Sequence, residues 1–310
     1  MSQAAELHAD KRRQQSARRR KNAWLAFWLL LPALLIYGIF NLYSLFMTVI
    51  YSFRNWSGIS ANATFAGVDN YVRLFKDPGI WSALLNNLKL VGISLGVQIP
   101  MGLGMALIIN SKVKGMRFFR TVYFMPMLFS TVSTGILWLL MYDPYFGVIN
   151  NAIRALGLGH LAQPWLAQSS TALGAILLVI CWQYAPQYMI LLRAGMTGIS
   201  QELYEAARID GPNAWKQFWS ITLPLLSGTI RTAATLSLVG SLKYFDLIWI
   251  MTSGNPNAST HVMATYMYRR GFVEFSMGYA STIATFMFVI ALLATVLLRY
   301  FSSRKEVSAP

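Results

Sequence analysis

Trp182, Gln183, Tyr184 and Gln187 fall close together in one apolar run, and Ser237, Ser241, Tyr244 and Trp249 recur along another. Amides and hydroxyls beside aromatic faces, in otherwise apolar segments, are the groups that meet a polar solute: hydrogen bonds to its edges, rings against its C–H surfaces. Each of these residues also has a plain structural reading, as a helix–helix contact or an interfacial anchor. Pro186 interrupts the first run and frees carbonyls. Lys243 and Asp246 are charges inside the second, where charge is costly and usually functional. At i, i+3 they share a helix face and neutralise each other, or Lys243 pairs with an anionic group of a solute. Covalent chemistry has no comparable constellation. The sequence holds no G-x-x-x-x-G-K-[ST] phosphate loop, no H-E-x-x-H pair and no nucleophile motif. His8, His160 and His261 are far apart, and Cys181 is alone. The chain reads as a non-enzyme with no metal or cofactor of its own.

Between these runs, residues 200–224 read as two short helices. Ser200 is the N-cap of the first, with Glu202 and Glu205 near its positive end. Asp210-Gly211 ends it, and Pro212 opens the second. Trp215, Phe218 and Trp219 then form one aromatic face at i, i+3 and i+4. Helices this short are marginal alone in water, so they must dock: on the bundle's own cytoplasmic end, on headgroups, or in a groove of a soluble partner.

The elements that must carry these groups follow from composition. The chain has 310 residues, 55% hydrophobic and only 12% charged, about half the usual charge of a soluble domain. Six apolar stretches are long enough to cross a bilayer: 24–50, 83–109, 118–141, 171–192, 224–251 and 277–300. They are too long and too continuously apolar for barrel strands, so the fold class is an all-α membrane protein of six transmembrane helices. The net charge of +15 is distributed unevenly. Seventeen Lys and Arg fall in the N-terminal arm, loops two and four and the C-terminal end, against six in the other loops, which places both termini in the cytoplasm. Residues 1–22 form a basic cytoplasmic arm, read as a lipid-facing anchor and not a nucleic-acid contact. Residues 23–303 form the transmembrane domain and 304–310 a cytoplasmic tail. Gly92-x-x-x-Gly96, with Gly102 and Gly104, is expected to let the second span pack closely on a neighbour.

The pattern Glu205-Ala206-Ala207-x-x-Asp210-Gly211, followed by Ile221-Thr-Leu-Pro224, resembles the EAA loop of permease subunits of binding-protein-dependent ABC importers. Phe119-Arg120 with Pro126, Phe245-Asp246, Gly278-Tyr-Ala280 and, in loop one, Gly67-x-x-Asn70-Tyr71 and Asp77-Pro78 resemble the maltose-type sugar and polyol branch. The resemblance implies a type I importer permease of the inner membrane. It implies a second homologous permease, a dimer of cytoplasmic ATPase subunits carrying ATP and Mg, and an extracytoplasmic binding protein that delivers a sugar for alternating access. Carried over, Glu205 makes polar contacts to the ATPase, Ala206 and Ala207 allow close packing, Asp210 completes the pattern and Gly211 forms the bend. Sugar permeases place their pocket on the fourth and fifth spans, which selects Gln183, Tyr184, Gln187, Ser237, Ser241 and Tyr244. Asp246 fits the family pattern with a structural or gating role. A permease for another small solute such as amino acids, and a stand-alone channel or secondary transporter, are the alternatives. The first fits poorly with the long loop one, and the second leaves the fourth loop without a partner.

Overall fold

The computed structural model describes residues 22, 24–60, 62–109, 115–209, 213–254 and 259–303. The basic arm, the tail, Asp210, Gly211 and Pro212 lie outside the described residues. The first span is α1 (Trp24–Ser52). A small hairpin follows, β1 (Arg54–Asn55) antiparallel to β2 (Thr64–Phe65), and then α2 (Asp69–Lys76). The second span is α3 (Pro78–Ile109), and the third is α4 (Met116–Leu128) with α5 (Thr131–Met141). Loop three carries α6 (Val148–Ala155), and the fourth span is α7 (Ala172–Thr197). Loop four holds α8 (Gln201–Ile209) and α9 (Ala214–Gln217); the fifth span is α10 (Ser227–Leu242) with α11 (Asp246–Thr252). Loop five carries α12 (Met263–Tyr268), and α13 (Met277–Ser303) is the last span.

Two spans expected to be continuous are broken. The third bends by 100° between its halves. Phe129 is extended there, and the Ser130 hydroxyl accepts from the Ser133 N–H, so a serine N-cap starts a new helix in the middle of the apolar run. The fifth breaks at Lys243–Phe245 without proline or glycine. A broken helix in a bilayer must have its freed backbone groups satisfied by protein. Asn87, fully buried on α3, does this: its amide donates to the carbonyls of Ser241 (2.7 Å) and Leu242 (3.1 Å) and accepts from the Met263 N–H (2.8 Å). Asn86 beside it donates to the carbonyls of Ser259 and His261 in loop five.

The fourth span is the axle. The outer half of α7 packs with α5 and α11 around Ile176, Val179, Leu247 and Ile248, and its cytoplasmic half packs with the end of α3 around Ile99, Met189, Leu192 and Leu226. Gly102 is where α3 and α7 approach: a Cβ there would lie 2.9 Å from the Met189 backbone nitrogen. Gly92, Gly96 and Gly104 face open space, so the expected close packing rests on one glycine of the four. By contrast, α1 is exposed along most of its length and meets the bundle mainly through Ser44–Ser52 against α13.

Loop one is fastened to the outer end of α13. Asn70 donates to the carbonyls of Ser52 and Arg54, and the Tyr71 and Ser52 hydroxyls are 2.8 Å apart. Asp77 caps α3 through the Gly79 N–H and accepts from the hydroxyls of Tyr266 and Tyr279, with Arg270 at 3.5 Å. Burial pushes its carboxyl up, but these hydrogen bonds and the Arg270 charge outweigh that and hold it below the usual carboxylate range.

His261 is buried in the same outer layer, against Gly254, with Nδ1 3.1 Å from the Thr265 hydroxyl. Burial first, then the charges of Arg269 and Arg270, lower its pKa from 6.5 to about 4, against the opposing pull of Glu274. The folded ring stays neutral where the unfolded one takes up a proton, so stability is complete above pH 6.5 and falls as pH drops towards 4. We expect the thermal unfolding midpoint in lipid nanodiscs to fall across that window, and His261→Gln to flatten the slope. An unchanged slope in the variant would assign the acid sensitivity elsewhere.

Candidate functional site

The break in the fifth span opens onto a cavity of about 320 Å³, walled by α3, α7 and the α10–α11 turn. Tyr184, Gln187, Ser237, Ser241 and Tyr244 line it, together with Lys243 and Asp246. Helical geometry explains the selection. On α7, residues 180, 184, 187 and 188 share one face, whereas Gln183 lies past its edge, about 40° beyond Gln187 and about 100° from Tyr184. The structure therefore places Gln183 outside the cavity, buried, with its amide donating to the Phe129 carbonyl at the break in the third span. Trp182 points into a different, larger cleft of about 660 Å³, lined almost entirely by apolar side chains such as Val97, Met101 and Leu178. That cleft offers a polar solute few partners, so the smaller cavity is the candidate site. Trp249 stacks on Phe245 and meets Tyr268 edge to face, outside it.

Inside the cavity the Tyr184 and Tyr244 rings meet edge to face, 6.1 Å apart. The Tyr244 hydroxyl is buried and finds no partner of hydrogen-bond geometry among the described residues. An unpaired buried hydroxyl is unfavourable by about 1–3 kcal/mol and is ready for a solute group. Ser237 donates to the Ser94 hydroxyl (2.7 Å), Ser94 in turn donates to the Gln98 amide oxygen, and Gln98 donates to the Ile180 carbonyl (2.9 Å). Ser94 and Gln98 bound a π-turn (Ser94–Gln98) in the second span, a local widening that recurs at functional sites. Sequence reasoning missed this wall. The signal was present, two polar residues at i, i+4 in an apolar run. No ion pair joins Lys243 and Asp246 among the described residues; both are exposed. Lys243 caps the C-terminus of α10 and Asp246 lies in the first turn of α11, so each charge faces the helix pole of opposite sign.

At the cytoplasmic end, the Ser200 hydroxyl accepts from the Glu202 N–H and starts α8, as expected. Glu205 and Ala206 are exposed and Ala207 half-buried. The Tyr204 and Thr222 hydroxyls, 3.0 Å apart, tie α8 to the chain entering the fifth span. Asn213 Oδ1 accepts from the Lys216 N–H and starts α9, and Trp215, Phe218 and Trp219 cluster with ring centroids 5.3–6.1 Å apart.

A family described as "Binding-protein-dependent transport system inner membrane component" matches residues 98–307. A probable ABC transporter permease of Pyrococcus horikoshii is 35% identical over 277 residues, covering 89% of this chain and 95% of that protein. The lactose transport system permease protein LacF of Rhizobium radiobacter is 32% identical over 291 residues, covering 92% and 95%. A bacterial ABC transporter involved in import of the acidic polysaccharide alginate has a chain that superposes with a TM-score of 0.82 at 26% identity, covering 94% of this chain and 99% of that one. With broken spans around a polar cavity, a paired-helix cytoplasmic loop and these matches, the chain belongs to the binding-protein-dependent ABC importer permeases, as a multi-pass, non-catalytic membrane subunit of the type I fold.

Proposed function

We propose that this permease, paired with a second one, forms the inner-membrane path for a saccharide. A binding protein delivers the solute from outside, and an ATPase dimer seated on the fourth loop drives alternating access. ATP and Mg belong to that ATPase, and this chain needs no cofactor. The carrying observation is the cavity at the fifth-span break, where Tyr184 and Tyr244 supply ring edges and Gln187, Ser241 and Tyr244 supply hydrogen-bonding groups. The sugar-linked relatives support the solute class, and the family's name supports delivery by a binding protein. Glu205, Ala206 and Ala207 present the docking surface; the resemblance alone adds Asp210 and Gly211, which lie outside the described residues.

The test is uptake into proteoliposomes by the chain together with its co-purifying subunits. Gln187→Ala is expected to reduce saccharide uptake about tenfold, the worth of one hydrogen bond, without loss of the ATPase. Lys243 is matched to the pole of its own helix, so Lys243→Gln should lower uptake of neutral and uronate-containing oligosaccharides alike. A loss confined to the uronates would instead assign Lys243 to an anionic group of the solute. Solute flux by the chain alone, without ATP turnover, would overturn the importer reading.

A further inference from the structure

Loop three leaves six large apolar side chains uncovered: Tyr145, Phe146, Val148, Leu156, Leu158 and Leu161, with Phe146 exposed to 86% and Tyr145 to 77%. Several of the loop's polar groups are tied to its own backbone, while Asn151, Arg154 and His160 stay exposed. Asp143 Oδ1 accepts from the N–H groups of Tyr145 and Phe146, both at 2.8 Å. Asn150, buried, donates to the Gln163 carbonyl and accepts from Trp165 Nε1, and Arg154 donates to the Pro144 carbonyl. Gly147 follows the turn where a Cβ would fall 2.3 Å from the Asp143 carbonyl, so the two rings are held out by a tight turn and not by a loose strand.

The depth of this surface is fixed by Tyr142, whose hydroxyl donates to the Ala175 carbonyl (3.1 Å). Ala175 lies about 5 Å inside the start of α7 at 1.5 Å per residue, so loop three leaves the bundle near the first turn of the fourth span. The exposed stripe Val132, Ile136 and Leu140 on α5 runs directly into it. Aromatic and aliphatic side chains at that depth, continuous with an exposed apolar stripe of a spanning helix, match the boundary between headgroups and acyl chains. The exposed Arg154 and His160 among them suit the headgroup level, where an apolar body is buried and a polar tip reaches water.

We propose that residues 143–161 form an anchor seated in the outer leaflet of the bilayer, with the phospholipid interface as its occupant. It fixes the height of the third- and fourth-span junction, and with it the outer wall of the cavity. The proposal rests on membrane insertion and orientation, not on the identity of the solute.

The single cysteine makes the test direct. In a Cys181→Ala background, a nitroxide is placed at Phe146→Cys or Leu156→Cys, with Ser60→Cys on the exposed loop-one turn as the aqueous reference. The transporter is studied with its co-purifying subunits in phospholipid nanodiscs, and relaxation by oxygen is compared with relaxation by a water-soluble nickel chelate. Labels at 146 and 156 should show an oxygen-to-nickel ratio several-fold above that at 60. Nickel access equal to the reference would overturn the anchor. Shielding from both reagents would show a protein cover instead, and a change on adding the binding protein would make the surface a docking site. Two independent positions keep the result readable if one label perturbs the loop.

Discussion

Asn87→Leu should destabilise the protein by about 2–6 kcal/mol, because it orphans two backbone groups and weakens a third in a place sealed from bulk water. The Leu242 carbonyl loses its donor, the Met263 N–H loses its acceptor, and the Ser241 carbonyl keeps only the long bond from the Tyr244 N–H (3.5 Å). Leucine fills similar volume, so the deficit is one of hydrogen bonding and not of packing. Unfolding in nanodiscs followed by denaturant or heat would show a large drop, with reduced yield of assembled transporter. Asn86→Leu should cost less, since it frees only the Ser259 and His261 carbonyls at the outer end of the bundle, nearer to water. Wild-type stability in Asn87→Leu would mean that the fifth-span break holds itself open.

Glu205→Arg should remove the ATPase from the purified complex and lower ATP-driven uptake by about a hundredfold or more, with the unfolding midpoint unchanged. Glu205 is exposed on α8 and has no hydrogen-bond or ion-pair partner among the described residues, so its reversal leaves the described packing intact. Breaking one side of a desolvated charged contact typically removes 2–5 kcal/mol of binding, which is about thirtyfold to several thousandfold. Co-purification and uptake together decide the matter. A variant that keeps its ATPase and its transport would move the docking surface to another part of the loop, the Trp215–Trp219 face being the next to alter.

The positions of the spans were legible in the sequence because continuous apolarity over about twenty residues has few other meanings. The faces of α7 and α10 that line the cavity were nearly legible: Tyr184, Gln187, Ser237, Ser241 and Tyr244 line one cavity, and only Gln183 turns away. The two breaks were not. A run such as Tyr123–Ser133 has enough apolar residues to read as uninterrupted, although Ser130 was a capping residue in plain view. The break at Lys243 carries no proline or glycine, and what stabilises it is an asparagine more than 150 residues earlier in the chain. Such long-range satisfaction leaves no local trace. The same holds for Ser94 and Gln98, whose role comes from a π-turn that hydropathy cannot register.

The seam in the fifth span has a consequence for how such a protein changes over time. Residues 227–242 pack on α3 and α13 and lead back to the fourth loop, whereas 246–252 pack chiefly on α5 and belong to the outer layer. Substitutions on 246–252 fall mostly outside the cavity, whereas Ser237 and Ser241 put part of its wall on 227–242. The two stretches are therefore open to separate selection, joined by three residues and policed by Asn87. A lineage can recast its outer layer and leave the wall of its cavity as it was.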